Sequence, residues 1–331
     1  MVAHRGASGY RPEHTLAAYE LGALLGADSL ELDVVVTKDH HLVARHENEL
    51  SGTTTVATLA EFADRRRTKE VDGVVRTGWF TEDFTLAELR GLRAIETFPA
   101  QRPRNRRFDG AFPIASLVDV LNLRERLTEE LGRTIGLHVE VKGARYFADA
   151  GLEVEAPLTE ALSKYGLAEA AGPVRVMSFE WTHLRKLRQR GLPNTLVFLL
   201  EDDGVPPDLV GTTAERTFAH FRTPAGLAEV ATVADAIGPG KNVLVPRGPG
   251  DTLGSPSTLF DDARRAGLSV GCWTFRAENA FLPADLRSSD DPAEYGDLAT
   301  EVAAFVQAGL DTVITDQPDL VLEALTTLVD D

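Results

Sequence analysis

Near its start the chain carries His4-Arg5-Gly6 at the end of a short apolar run, followed at once by Pro12-Glu13-His14-Thr15. These types suit an anionic substrate. Arginine offers a planar fork of donors that fits phosphate oxygens, and histidine titrates near neutrality and can move a proton. Carboxylates recur at strand spacing further on. In Ser29-Leu30-Glu31-Leu32-Asp33-Val34, Glu31 and Asp33 are two apart and share one face, while Leu30, Leu32 and Val34 take the other. In Ile135–Lys142, His138, Glu140 and Lys142 share a face in the same way. Carboxylates buried on central strands are costly unless a cation pairs with them. The bland alternative for Glu31 and Asp33 is a salt-bridged pair. A third inward carboxylate, Glu140 in the Glu-x-Lys of the next barrel strand, favours three oxygen donors converging on Ca²⁺ or Mg²⁺. The lack of cysteine ligands disfavours zinc.

Of the eight histidines, His4 and His46 are expected at strand ends facing the carboxylates. There they could act as general acid and general base on a phosphate held by a metal. His40, His41, His183 and His220 fall in turn or helix contexts and are read as structural. His138 lies one layer deeper than Glu140 and is read as a satisfied core histidine.

Apolar runs alternating with helical periodicity must position these groups. The expected strands are Val2–Arg5, Ser29–Val36, Leu42–His46, Ile135–Lys142, Val174–Phe179, Thr195–Leu200, Val233–Ile237, Ser269–Thr274 and Thr312–Thr315. Helices are expected at Leu16–Leu25, Leu117–Leu131, Leu158–Tyr165, Trp181–Arg190, Pro224–Val230, Thr258–Ala266, Tyr295–Ala308 and Pro318–Leu328. Thr15 can cap the first, and Gly191, Gly267 and Gly309 sit just past helix ends. With Leu42–His46 set aside as a hairpin strand, eight βα units remain, which predicts a single α/β domain over residues 1–331, a TIM (β/α)8 barrel. An open doubly wound sheet is the alternative, but no G-x-G-x-x-G follows the first strand, so dinucleotide binding has no support. Residues 51–112 break the rhythm. They are expected to form a small inserted subdomain after barrel strand two, over the C-terminal face, with short helices near Leu59–Arg65 and Leu86–Leu92 and little strand pattern. Pro283–Asp297 reads as a second long polar loop on that side.

Bulk composition narrows the function. The chain has 331 residues, a formal net charge of −17, 43% hydrophobic and 26% charged residues, which suits a globular protein and argues against a nucleic-acid partner. A phosphate substrate stays compatible with this acidity, because a divalent cation inverts the local field. One cysteine, Cys272, rules out an intramolecular disulfide and reads as a small buried hydrophobe. No apolar stretch is long enough to span a bilayer. No basic-then-apolar leader precedes His4, which reads as cytoplasmic. The alternative is a secreted or periplasmic protein whose signal lies outside this sequence.

The ordered blocks resemble the glycerophosphodiester phosphodiesterase family, in particular periplasmic-type members with a long insertion. The resemblance rests on His4-Arg5-Gly6 with Pro12–Thr15, on Glu31-Leu32-Asp33 with Thr37-Lys38-Asp39, Leu42-Val43 and His46, and on Glu140-Val141-Lys142. Ser178-Phe179, Trp273-Thr274 and Thr315–Asp319 resemble later blocks. It implies hydrolysis of small glycerophosphodiesters to sn-glycerol 3-phosphate and an alcohol, with a divalent metal on Glu31, Asp33 and Glu140 and with His4 and His46 as the acid/base pair. It further implies Arg5 and Lys142 on the phosphate oxygens, Glu13 orienting Arg5, and His14 leading into the first helix where many members carry Asn. Trp273 would wall the glycerol pocket or pack in the core. Met177 departs from members that are polar there. Two other functions fit the same barrel. A phospholipase D or sphingomyelinase-D-like enzyme would need exposed membrane-docking aromatics; Trp79, Phe80 and Phe84 are the only candidates, and they read as core of the insertion. A non-catalytic glycerophosphodiester-binding barrel would lack a histidine or a metal carboxylate.

Overall fold

Eight parallel strands close on themselves in the computed structural model, which describes residues 1–330. In chain order the strands are β1 (Val2–Ala3), β2 (Ser29–Val36), β3 (Leu42–Ala44), β4 (Arg67–Val71), β5 (Val74–Gly78), β6 (Gly136–Val141), β7 (Val174–Ser178), β8 (Thr195–Leu200), β9 (Ala236–Pro239), β10 (Ser269–Phe275) and β11 (Thr312–Thr315). The barrel runs β1-β2-β6-β7-β8-β9-β10-β11, and β1 pairs with both β2 and β11 to close it. The hairpin strand β3 lies antiparallel along Val34–Val36 of β2. This is a TIM barrel.

Alternation along each strand separates two sets of apolar residues. Leu196, Phe198, Val176 and Ile237 point outward and join the large core under the helices. Met177, Val197, Leu199 and Ala236 form a small cluster of their own inside the barrel. Helix Leu16–Leu24 starts where Thr15 accepts from the Ala18 amide, 3.1 Å. Ser116 and Asp119 make a capping box on helix Leu117–Leu131. Gly191, Gly267 and Gly309 take φ of 81°, 79° and 104°, the left-handed turn that closes a helix without a Cβ penalty.

The structure corrects several expectations. β1 ends at Ala3, because Arg5 turns to φ 54°. β9 starts at Ala236, not Val233, because Val233 and Ala234 still bond back to Val230 and close the preceding helix. Helix Leu298–Gln307 begins three residues after Tyr295, at the Asp297 cap. Short helices at Ala144–Asp149, Phe218–Phe221 and Lys241–Leu244 were not anticipated. Within 51–112, β4 and β5 form an antiparallel hairpin turned by Asp72-Gly73, both at positive φ. Its strands are mostly exposed and mix charged residues with solvent-facing Val74 and Val75, so no alternating pattern marks them, but Asp-Gly between two short runs is itself a hairpin signal. As expected, Trp79, Phe80 and Phe84 are buried in the core of the insertion and are not membrane-docking aromatics. No helix among the described residues is long and apolar enough to cross a membrane.

Phe198 is fully buried on β8, with its ring 5.0 Å from Phe221 and 5.3 Å from Trp181. Phe198→Ala should cost about 3–5 kcal/mol, the usual price of a large aromatic cavity, read as a lowered urea midpoint with an unchanged slope.

Candidate active site

The C-terminal ends of the barrel strands open into a cavity of 690 Å³ lined by His4, Arg5, Glu31, His46, Lys142 and Trp273 among others. Register explains the convergence of the carboxylates. β2 and β6 are neighbours, with Asp33 beside Glu140 and Glu31 beside His138. One oxygen each of Glu31, Asp33 and Glu140 lie within 4.8 Å of one another.

Asp33 is the most heavily used of the three. Its Oδ2 accepts from His14 Nε2 at 2.9 Å and sits 3.3 Å from Arg5 Nε, and its Oδ1 is 3.4 Å from Lys142 Nζ. Lys142 also pairs with Glu140, and the Arg5 amide donates to Glu31 at 2.8 Å. Arg5 is fixed further by Glu13, 2.9 Å from Nη1. Burial opposes the charge of Asp33, but Lys142 and Arg5 outweigh it and hold its pKa well below the usual range. Burial and the neighbouring Asp33 charge push Glu31 well above its ordinary value. Burial, against the pull of Lys142, leaves Glu140 at about 8. Lys142 is the cation that Asp33 Oδ1 and Glu140 Oε1 share. A buried cluster of carboxylate oxygens with one shared ammonium, two of the three carboxylates being reluctant to ionise, fits a hard divalent cation.

Both histidines have one ring nitrogen tied down. His4 Nδ1 is 2.6 Å from Asp316 Oδ1, and His46 Nδ1 is 2.7 Å from Glu47 Oε1. A carboxylate can only accept, so each Nδ1 carries the proton and each neutral ring keeps its Nε2 lone pair. Burial, then the Arg5 charge, lowers His4 to about 4. Burial, then Lys142, lowers His46. Trp273 on β10 donates from Nε1 to Gly238 O at 2.7 Å and meets Phe179 edge-on at 5.6 Å, so the indole is pinned as a wall of the cavity.

Family-wide comparison decides the class. The sequence model of the glycerophosphoryl diester phosphodiesterase family matches residues 4–320. The chain belongs to this family. Among similar relatives is Arabidopsis thaliana glycerophosphodiester phosphodiesterase GDPD6, 33% identical over 304 residues, covering 88% of this chain and 77% of that one. Another is the probable glycerophosphodiester phosphodiesterase 1 of Mycobacterium tuberculosis, 32% identical over 278 residues, covering 82% and 80%. A phosphodiesterase from Oleispira antarctica, solved with the product sn-glycerol-3-phosphate, shares the fold with TM-score 0.64 at 18% identity, over 98% of this chain and 96% of that one. A solved putative glycerophosphoryl diester phosphodiesterase from Silicibacter pomeroyi does so with TM-score 0.68 at 19% identity, over 99% and 93%. The protein is an enzyme of the glycerophosphodiester phosphodiesterase class.

Several residues of this phosphodiesterase site escaped the sequence reading. Asp316 was seen only as part of a motif, without a role. Arg276, 2.7 Å from Asp316, and Arg102, 2.5 Å from it, were not anticipated. His14 does more than lead into a helix: fully buried at φ 58°, it joins Asp33 to the Tyr19 hydroxyl, 2.8 Å from Nδ1. His138 is buried but not satisfied. Its Nδ1 has no partner among the described residues, and burial, then Arg175, lowers its pKa to about 3. His183 is buried against Glu155, while His40 and His41 are exposed turn residues and His220 is a partly exposed helix residue.

A carboxylate whose pKa is raised by folding costs no stability below its ordinary value of 4.5 and an increasing amount as pH rises to its folded value of about 8. Glu140→Gln removes that cost. In chelator, its melting temperature should exceed wild type by roughly 3–6 °C at pH 8.5, and the gap should close toward pH 5. An equal gap at both pH values would contradict the buried-charge account.

Proposed function

We propose that this enzyme hydrolyses small glycerophosphodiesters, such as glycerophosphocholine and glycerophosphoethanolamine, to sn-glycerol 3-phosphate and an alcohol, with a divalent metal and a two-histidine acid/base pair. The observation that carries the reading is that His4 and His46, each with Nδ1 on a carboxylate, line one cavity with Glu31 and Glu140, whose oxygens cluster with that of the buried Asp33.

Glu31, Asp33 and Glu140 would hold Ca²⁺ or Mg²⁺, which when bound neutralises phosphodiester charge and polarises its oxygens. Arg5 and Lys142 stand beside that cluster and offer donors to the remaining phosphate oxygens, where they stabilise charge that grows in the transition state. One histidine takes the proton of the nucleophile at Nε2. The other takes up a proton from solvent when the anionic phosphodiester binds beside it, and gives that proton to the leaving alcohol. The nucleophile is water, or the substrate's own 2-hydroxyl, which expels the alcohol to leave a cyclic phosphate that water then opens to glycerol 3-phosphate. Trp273 bounds the glycerol end.

His4→Ala and His46→Ala should each lower kcat by about 10³-fold or more with the melting transition intact, measured with glycerophosphocholine and coupled glycerol 3-phosphate detection. Chelation should abolish turnover, and Ca²⁺ or Mg²⁺ should restore it. Near-wild-type rates in either alanine variant would overturn the acid/base assignment, and full activity in chelator would overturn the metal dependence. Cleavage of intact phospholipid in preference to glycerophosphocholine would move the enzyme to the phospholipase D-like alternative.

A further inference from the structure

Four arginines crowd one stretch of the inserted segment, Arg102, Arg104, Arg106 and Arg107. Three are exposed and Arg102 is buried. Its side chain keeps 3% of its exposure, and every branch of its guanidinium is used. Nε donates to Glu278 at 2.6 Å, Nη1 to the Ser8 carbonyl at 3.0 Å, and Nη2 to Asp316 Oδ2 at 2.5 Å. Asn105 reinforces the dock by donating to the Gly9 carbonyl at 3.2 Å. The segment therefore grips both the turn after His4-Arg5 and the carboxylate that holds the His4 ring.

Asp316 has two oxygens with distinct partners. Oδ2 is taken by Arg102 and, at 2.7 Å, by Arg276. Oδ1 is left for His4 Nδ1 at 2.6 Å. A carboxylate has two lone-pair directions on each oxygen, and a rotation of its plane would hand Oδ1 to another donor. Two fixed guanidinium groups on Oδ2 prevent that rotation. Arg276 keeps 19% of its side-chain exposure and stacks on Phe98 and Phe281 at the rim. Arg102 has no solvent-facing freedom and is the firmer of the two anchors. Ser8 Oγ returns to the His4 carbonyl at 2.8 Å, so the backbone that Arg102 clamps is itself tied to His4.

We propose that Arg102 is a positioning residue for catalysis: acting through Asp316 and the Ser8 carbonyl, it fixes the tautomer and aim of His4, which makes the inserted segment a working part of the acid/base machinery. The inference rests on the role given to His4 above. It concerns a residue outside the barrel that touches neither phosphate nor metal ligands. A clamp of this kind acts on geometry in the reacting state and leaves ground-state binding alone, so its loss appears in kcat and not in KM. Displacements near 1 Å are worth about 10²-fold in rate.

The test compares Arg102→Ala, Arg102→Lys, His4→Ala and the exposed neighbour Arg104→Ala on glycerophosphocholine, with circular dichroism and melting curves for each. Arg102→Ala is expected to lose about 10²-fold in kcat with KM within about threefold. Millimolar guanidinium should recover part of that loss in Arg102→Ala and nothing in His4→Ala. Arg102→Lys should fall between, and Arg104→Ala should match wild type. A folded Arg102→Ala with wild-type kcat, or a loss carried by KM alone, overturns the assignment. If Arg102→Ala does not fold, Arg102→Lys decides, and wild-type kcat there overturns it too. An inactive His4→Ala beside a fully active Arg102 variant sinks this inference alone. A fully active His4→Ala sinks both this inference and the acid/base reading.

Discussion

Asp33 is the constraint on which the site is built. Its carboxylate is shut from solvent and receives Arg5, His14 and Lys142. An ion taken out of water costs several kcal/mol unless its partners arrive in good geometry. These partners come from the end of β1, the turn before the first helix and the end of β6. None is local to Asp33. They meet only because β2 lies between β1 and β6 in the closed barrel. Barrel closure and charge compensation at the mouth are thus one event: a sheet with another strand order would bury the same carboxylates without their cations.

The two histidines show the same logic at different depths. Each has Nδ1 bound to a carboxylate, which leaves Nε2 free for the proton transfer proposed above. His4 is held by Asp316, whose exposure is 1%, itself locked by two arginines. His46 is held by Glu47, and both of their side chains keep about a third of their exposure, 32% and 37%. A charge-assisted hydrogen bond gains strength where water is excluded. His4 is therefore the rigid member of the pair and His46 the adaptable one.

The legible part of this site is the part written with period two. Glu31, Asp33, Glu140 and Lys142 declare their shared face through the leucines and valines between them, and the strands that carry them were placed to within a residue. The dyad partner of His4 lies 312 positions away, and Arg102 lies 214 from Asp316. No periodicity links residues so far apart. In the sequence, Arg102 looks like its exposed neighbours, because burial by docking leaves no local pattern. His138 misled for a related reason. Its inward position was correct, but whether a buried ring finds a partner depends on the facing strand, where the register offers Arg175.

The barrel interior is also divided in a way that bears on the carboxylates. The register sets Glu140 beside Met177, Met177 beside Val197 and Val197 beside Ala236. From β7 to β9 the inner wall at that level is apolar, while the β1, β2 and β6 side carries the ionisable groups. An apolar wall cannot reorganise around charge, so it withholds the solvation that would let three neighbouring carboxylates ionise together. Met177, where a polar side chain would solvate Glu140 directly, adds to that penalty. The wall and the carboxylates work as a pair. The wall leaves the three carboxylates with more negative charge than Arg5 and Lys142 offset, and the divalent ion proposed for the site would meet that residual demand.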